Sequence, residues 1–290
     1  MPTLKLSRKG HLYAAFRSTP NPNDHGFPAH LVQRVGAFPV RGALTGGIRA
    51  PQDQAQTGMC TGEGSTGLGV RLYMRWKGLT PDFAPEFTYA LERMKEGTFP
   101  QDAGAQVATS LQVPDPAQND PHCVGWCPRN VPGYKPLDIT TPPSDAQLAE
   151  AKNWPGGAYH TIGNNIANIK SCILSDYSGV IGISVYESFE SDEADASGLT
   201  PYPNINVEEL LGGHEEHSLL AFDDTVQCPN APNPGAVLTE NSWGQEWGCA
   251  PPEWAKNLGT TKGFNWIPYD YLMDPNLTSD VKMGHLGKPW

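Results

Sequence analysis

The sequence predicts an α+β protein, a mostly helical part over about residues 39–112 followed by a mostly β part over about residues 180–281. Three observations carry that reading. Apolar residues at helical spacing crowd the first part, with Phe83, Phe87, Leu91 and Met94 the clearest set. Apolar, β-rich runs crowd the second, over residues 180–186, 217–224 and 236–241. The 31 glycines and 28 prolines exceed an average share, so loops should be long and regular elements short.

Residues 1–38 are polar and punctuated by proline, as in Ser18-Thr-Pro-Asn-Pro-Asn-Asp-His-Gly, and are expected to form a loosely ordered N-terminal extension wrapping a surface. A single domain is expected over residues 39–290. The first nine residues carry charge and no apolar core of signal-peptide length, and no run approaches a transmembrane span. A cytoplasmic or particle-borne (virion-associated) protein is therefore expected. The net charge of −11 has no basic block to offset it, which disfavours nucleic acid and anionic membrane as partners. An assembly partner held through the extension is a further expectation.

Within the domain, the stretch from Asp53 to Gly69 stands out. A polar segment stops at Cys60 and runs into the apolar Leu68-Gly-Val-Arg-Leu-Tyr-Met. A cysteine at such a loop-to-helix junction meets orphan backbone amides and the positive end of the helix dipole, both of which favour the nucleophilic thiolate. Gln54 lies six residues earlier and offers a side-chain amide to a developing oxyanion. The same cysteine also suits plain burial in a core. Gly62, Gly64, Gly67 and Gly69 each cost the helix about 0.8–1 kcal/mol against alanine, so the helix should be buried with backbones approaching closely. No Gly-Lys-Ser/Thr follows, which removes a phosphate-loop reading.

Thr80-Pro-Asp reads as the cap of a helix running to Lys95, and Asp102-Ala-Gly-Ala as the opening of another through Leu111. His122-Cys123-Val-Gly-Trp-Cys127 offers three potential zinc ligands, but a closed structural site needs four, so no metal is expected. Ser144-Asp-Ala-Gln opens a short surface helix through Lys152, residues 165–174 read as a further helix, and residues 180–186 as a buried strand. The six cysteines are too scattered for a disulfide framework.

The strongest constellation lies near the C-terminus. His217-Ser-Leu-Leu-Ala-Phe-Asp-Asp and Ala236-Val-Leu-Thr-Glu-Asn241 read as two strands joined by a Pro/Asn-rich loop over residues 225–235. Paired as a hairpin they put position 217 opposite Asn241, and a side-chain amide beside an imidazole fixes its tautomer. His214 competes as the base. It would place Glu215 and Glu216 at the head of a core strand, whereas His217 is followed by the small Ser218 and an apolar run, so His217 is preferred.

Ser242-Trp-Gly-Gln-Glu-Trp-Gly after Asn241, together with Gln54, Ala55, Gly58 and Cys60 and the order Cys…His…Asn, resembles the papain-like cysteine peptidases over roughly residues 39–281. Val185-Tyr-Glu-Ser-Phe and Ile267-Pro-Tyr-Asp-Tyr-Leu resemble phrases of bacterial and phage members. The resemblance implies a two-lobe fold, one lobe helical and one an antiparallel barrel-like sheet, with the active-site cleft between them. It also implies hydrolysis of a peptide or protein substrate without a cofactor. Cys60 would be the nucleophile, His217 (or His214) the base, Asn241 its orienter and Gln54 the oxyanion donor, with Gly104, Ser218 and Trp243 at the substrate. Ala55 replaces the usual glycine, Thr57 stands where a disulfide cysteine is usual, and Glu63 puts a carboxylate one turn beyond Cys60. These departures leave two alternatives open, an inactive papain-like component of a larger assembly such as a virion, and an amidase of cell-wall peptides.

Overall fold

The computed structural model describes residues 6–7, 9–19, 24–27, 37–46 and 49–286; the side chains of residues 213–217 and the remainder of the expected extension lie outside the described residues. Among these residues are ten strands: β1 Ala15–Phe16, β2 His25–Gly26, β3 Arg41–Ala43, β4 Ala105–Gln106, β5 Tyr159–Thr161, β6 Gly179–Tyr186, β7 Leu210–Asp223, β8 Ala236–Glu240, β9 Phe264–Pro268 and β10 Thr278–Gly284. The seven α-helices are α1 Cys60–Lys77, α2 Pro85–Glu96, α3 Val107–Gln112, α4 Asp145–Ala151, α5 Ile166–Leu174, α6 Asp192–Ser197 and α7 Tyr269–Met273.

The central helix starts at Cys60, as its sequence context predicts, and ends at Gly78 in the left-handed conformation (φ 65°) that closes helices well. Its glycines are contact points. A Cβ on Gly62 would sit 2.6 Å from the Pro85 carbonyl, so α2 approaches to backbone distance, and one on Gly69 would meet the Trp126 ring at 2.8 Å. The opposite side of α1 lies on β7. With fourteen of its eighteen residues buried, the helix is held by packing rather than propensity.

Two helix starts differ from expectation. The second helix begins at Pro85 and not near Thr80, because proline fits the first helical turn, while Phe83 before it bridges to Pro128. The segment opened by Asp102 is first a strand, β4, and turns helical only at Val107. The Ser144 capping box forms as expected, with Gln147 as its reciprocal partner.

The strands make one open mixed sheet with the path β2-β5-β10-β6-β7-β1-β4; β3 and β8 also pair with β7, and β9 with β8. The α+β arrangement is as expected, and the barrel-like lobe takes the form of a sheet that does not close. The path ends in β2 and β4, two residues each, and such short strands supply too few ladder bonds to close a ring. The hub is β7, which runs from Leu210 and is longer than the expected 217–224. Its first half pairs with β6 and its second with β8, around a register shift between Leu219 and Ala221. The apolar run of β6 is buried at every residue but the last, and packs with β7, β8 and β9 into the main core.

β4 reaches this sheet through β1, which lies parallel to β4 (Ala15 with Ala105) and antiparallel to β7 (Ala15 with His214). The N-terminal stretch expected to be loose therefore supplies the strand that joins the helical part to the sheet.

Candidate active site

Cys60 is the first residue of α1. Met59 before it gives no side-chain cap, so the first-turn amides have no side-chain acceptor there. Cys60 is fully exposure-free and shares an apolar cluster with Ala15, Leu68, Val107 and Ala108. Burial pushes Cys123, Cys127, Cys228 and Cys249 up to about 12, and pushes Cys172 upward as well.

The loop ahead of Cys60 is stitched to the segment after β8. The Gln54 amide N donates to the Ser242 carbonyl at 2.9 Å, Gly244 N donates to the Gln52 carbonyl at 2.8 Å, and Asp53 bridges to Trp243. Gln54 is 1% exposed. Its Oε1 accepts from the Ser242 hydroxyl, and its Nε2 donates to the Thr57 carbonyl at 2.6 Å. The side chain is thus a structural tie as well as an oxyanion-donor candidate. Ala55 holds φ 53°, a left-handed conformation that costs a non-glycine residue about 1–2 kcal/mol, and Asp53 accepts its N–H at 2.8 Å. Asp102 grips the same loop. Its carboxylate accepts the Gly58 N–H at 3.0 and 3.1 Å and the Tyr89 hydroxyl at 2.5 Å.

At the hairpin, Ser218 pairs with Glu240. One further antiparallel step puts position 217 opposite Asn241 and leaves position 214 three residues, roughly 10 Å, along the strand. The side chains of both histidines lie outside the described residues. Asn241 is 1% exposed; its Oδ1 accepts the Ser242 N–H at 2.6 Å, and its Nδ2 has no partner among the described residues. The Gln54 loop, Ser242 and Trp243 are thereby brought together, with Cys60 following Gln54 by six residues. Gly104 joins them through the N-terminal stretch: it has φ 73°, and a Cβ there would stand 1.9 Å from the Ala14 carbonyl oxygen. Ser218 lines a cavity with Gln52, Glu63, Gly64, Asn241 and Ser242.

Glu63 is neutralised in part by Arg49, a residue the sequence reading missed. Arg49 Nη2 contacts Glu63 Oε2 at 2.7 Å and the Glu63 carbonyl at 2.9 Å, while its Nε lies 3.7 Å from Glu240, which also pairs with Arg71. Nothing in local periodicity marks Arg49 or Glu240, because the pairing depends on the hairpin lying against α1. Burial first, and then Arg49 in the opposite sense, set the Glu63 carboxyl at about 7. Burial likewise raises Glu92 to about 8, with a Thr61 hydroxyl donating to it at 2.5 Å.

Both carboxyls keep protons in the fold that the unfolded chain releases near pH 4.5. The stability they contribute is complete below about pH 4.5 and is lost as the pH climbs through 7 and 8. Denaturant midpoints should accordingly fall from pH 5 to pH 8, each group contributing up to about 1.4 kcal/mol per pH unit across its window. Glu92→Gln should flatten that fall; an identical slope in parent and variant would rule out its share.

The N-terminal stretch packs over the loops around Gly58 and Gly104. Ala14 lies where a Cβ on Gly58 would meet it at 2.6 Å, and its carbonyl accepts the Ala105 N–H at 2.9 Å. Tyr13 is 1% exposed and donates its hydroxyl to Glu190 at 2.6 Å, and His11 stacks on Trp243 at 3.7 Å between ring centres. Lys9 pairs with Asp192 and Asp195. On the other flank Ser18 Oγ accepts the Ala108 N–H at 2.8 Å.

This architecture, a buried helix headed by a cysteine and packed on a mixed sheet, is the papain-like fold. Xylellain, a cysteine protease from Xylella fastidiosa, superposes with a TM-score of 0.77 at 20% identity, over 99% of each chain. Procathepsin L 3 of the Tenebrio molitor larval midgut matches 93% of this chain and 76% of its own, at 10% identity and a TM-score of 0.64. An uncharacterized peptidase C1-like protein of Acanthamoeba polyphaga mimivirus is 29% identical over 202 residues, 67% of this chain, and the chain spans 56% of that protein's length. No protein-family model matches the chain. Among the described residues no helix is long and apolar enough to cross a membrane.

Proposed function

We propose that the protein is a cysteine peptidase acting on peptide bonds. Cys60 attacks the carbonyl carbon as a thiolate. His217 carries the proton to the leaving amine, Asn241 orients its ring, and the Gln54 amide with the Cys60 N–H stabilises the oxyanion. The observation that carries this reading is the stitching of the Gln54 loop to Ser242, which brings the head of α1 and the end of β8 to one place. A peptide substrate lies extended between β4 and β7, adding a strand to each, along the path that β1 takes. The stretch over residues 9–19 competes with it and acts as a built-in inhibitory strap.

The reading is tested by iodoacetamide labelling of the Tyr13→Ala chain, whose strap is unseated, near neutral pH with the modified residue mapped. Cys60 should be labelled ahead of the five thiols that burial holds protonated. Uniform labelling of all six would sink the enzyme.

A further inference from the structure

The strap fills one pocket in a way that points to the substrate. Tyr13 enters beside Gly212, where a Cβ would lie 2.5 Å from that of Tyr13, so glycine leaves the room that the ring occupies. The Trp243 ring meets it edge-on at 5.9 Å, and Phe189 meets Trp243 edge-on at 5.5 Å. At the pocket's end the buried Glu190 carboxylate, 8% exposed, accepts the phenol hydroxyl at 2.6 Å. The neighbouring strap residue, Ala14, lies against Gly58, two residues before Cys60, so the pocket adjoins the point of attack.

An apolar, aromatic-walled pocket with one carboxylate acceptor at its end discriminates. Closing a phenylalanine into it leaves a desolvated carboxylate oxygen without its donor, whereas a tyrosine restores the hydrogen bond. A side chain is read by the pocket it enters whichever way the backbone runs. The strap therefore displays which side chain the emptied pocket accepts.

We propose that Glu190 is a specificity-determining residue, selecting substrates with a tyrosine side chain next to the bond that is cleaved. This rests on the cysteine-peptidase reading above. The Phe189-Glu190 pair sits in a short 3₁₀ turn after β6, in a stretch whose sequence resemblance carried no such role.

The test uses the full-length chain carrying Tyr13→Ala, which empties the pocket, and matched peptide pairs differing only by tyrosine or phenylalanine at each of the two positions flanking the cleaved bond. At one position kcat/KM should favour tyrosine by about 10- to 100-fold, the range of a hydrogen bond to a charged acceptor. Adding Glu190→Leu should bring that ratio to about one or invert it, and Glu190→Gln, which retains an acceptor, should keep part of it. A ratio near one at both positions in Tyr13→Ala, with turnover intact, overturns the proposal and leaves Glu190 a latch for the strap alone. A ratio unmoved by Glu190→Leu overturns it too. Absence of any turnover, with Cys60 no more reactive than the other thiols, instead overturns the peptidase reading and the proposal with it.

Discussion

His217→Ala should remove turnover, a loss of at least about 10⁴-fold, as should Cys60→Ala, while His214→Ala retains most of it. The choice between the histidines rests on backbone register. Ser218 opposite Glu240 makes the next pair 217 and 241, and Asn241 is the buried amide whose Nδ2 has no partner among the described residues. Position 214 is instead paired with Ser184 on β6 and with Ala15 of the strap, three residues further from Asn241. Successive strand residues alternate faces, so 214 and 217 fall on opposite faces of β7 unless the strand bulges between them. The pairs with β6 run without a shift from Ser218 to His214, and Ser218, on the face that position 214 shares, has its Oγ 3.6 Å from where a Cβ on Gly67 of α1 would stand, so His214→Ala is the decisive control. Steady-state assays of the three variants decide the matter. Retained turnover in His217→Ala with loss in His214→Ala would overturn the assignment.

Much of this arrangement was legible in the sequence because its carriers are local. The loop-to-helix switch at Cys60, the buried run of β6 and the apolar run of β8 each sit within about ten residues, where periodicity and capping operate. The run from Asn241 to Gly248 was legible as a motif, and the structure gives its parts physical work: Ser242 ties Gln54, and Gly248 has φ 69° with no room for a Cβ against the Phe264 carbonyl. The strap was not legible. Its two-residue strand has no periodicity, and its partners are Ala105 and His214, about ninety and two hundred residues away in sequence. A polar, proline-rich stretch reads as loose when its partners are unknown, because composition reports only what the segment can bury by itself. The extent of β7 was hidden similarly. Gly212-Gly-His-Glu-Glu lacks apolar alternation, since its neighbours there are the strap and β6 rather than a plain core face. The charge of Glu63, read as opposed to a thiolate, is met by Arg49 across a gap of fourteen residues.

Tyr13→Ala should raise turnover, and should raise the rate of Cys60 alkylation by the same factor. The strap is seated by the buried Tyr13 ring with its hydroxyl on Glu190, by His11 on Trp243, by Lys9 on the acidic start of α6 and by the pairing of β1 with β4 and β7. The Lys9 pairs reach solvent, Asp192 fully so, and count for little. The two-residue pairing is short. Tyr13 is the largest single contribution, and truncating a buried aromatic side chain costs about 3–5 kcal/mol. Part of that loss falls on any state in which the strap is seated and none on the state in which it has left. A shift of about 3 kcal/mol multiplies the open fraction by about 10², and apparent activity is the intrinsic activity scaled by that fraction. Small probes and peptide substrates require the same opening, since Cys60 is covered in the closed state, so the two rates should rise together. Tyr13→Phe separates the hydroxyl from the ring: it should open the cleft less, by about 10-fold, the value of a hydrogen bond to a carboxylate. If Tyr13→Ala leaves both rates unchanged, the strap does not gate the site. If alkylation accelerates and turnover does not, the cleft has opened onto a cysteine that lacks its catalytic partners.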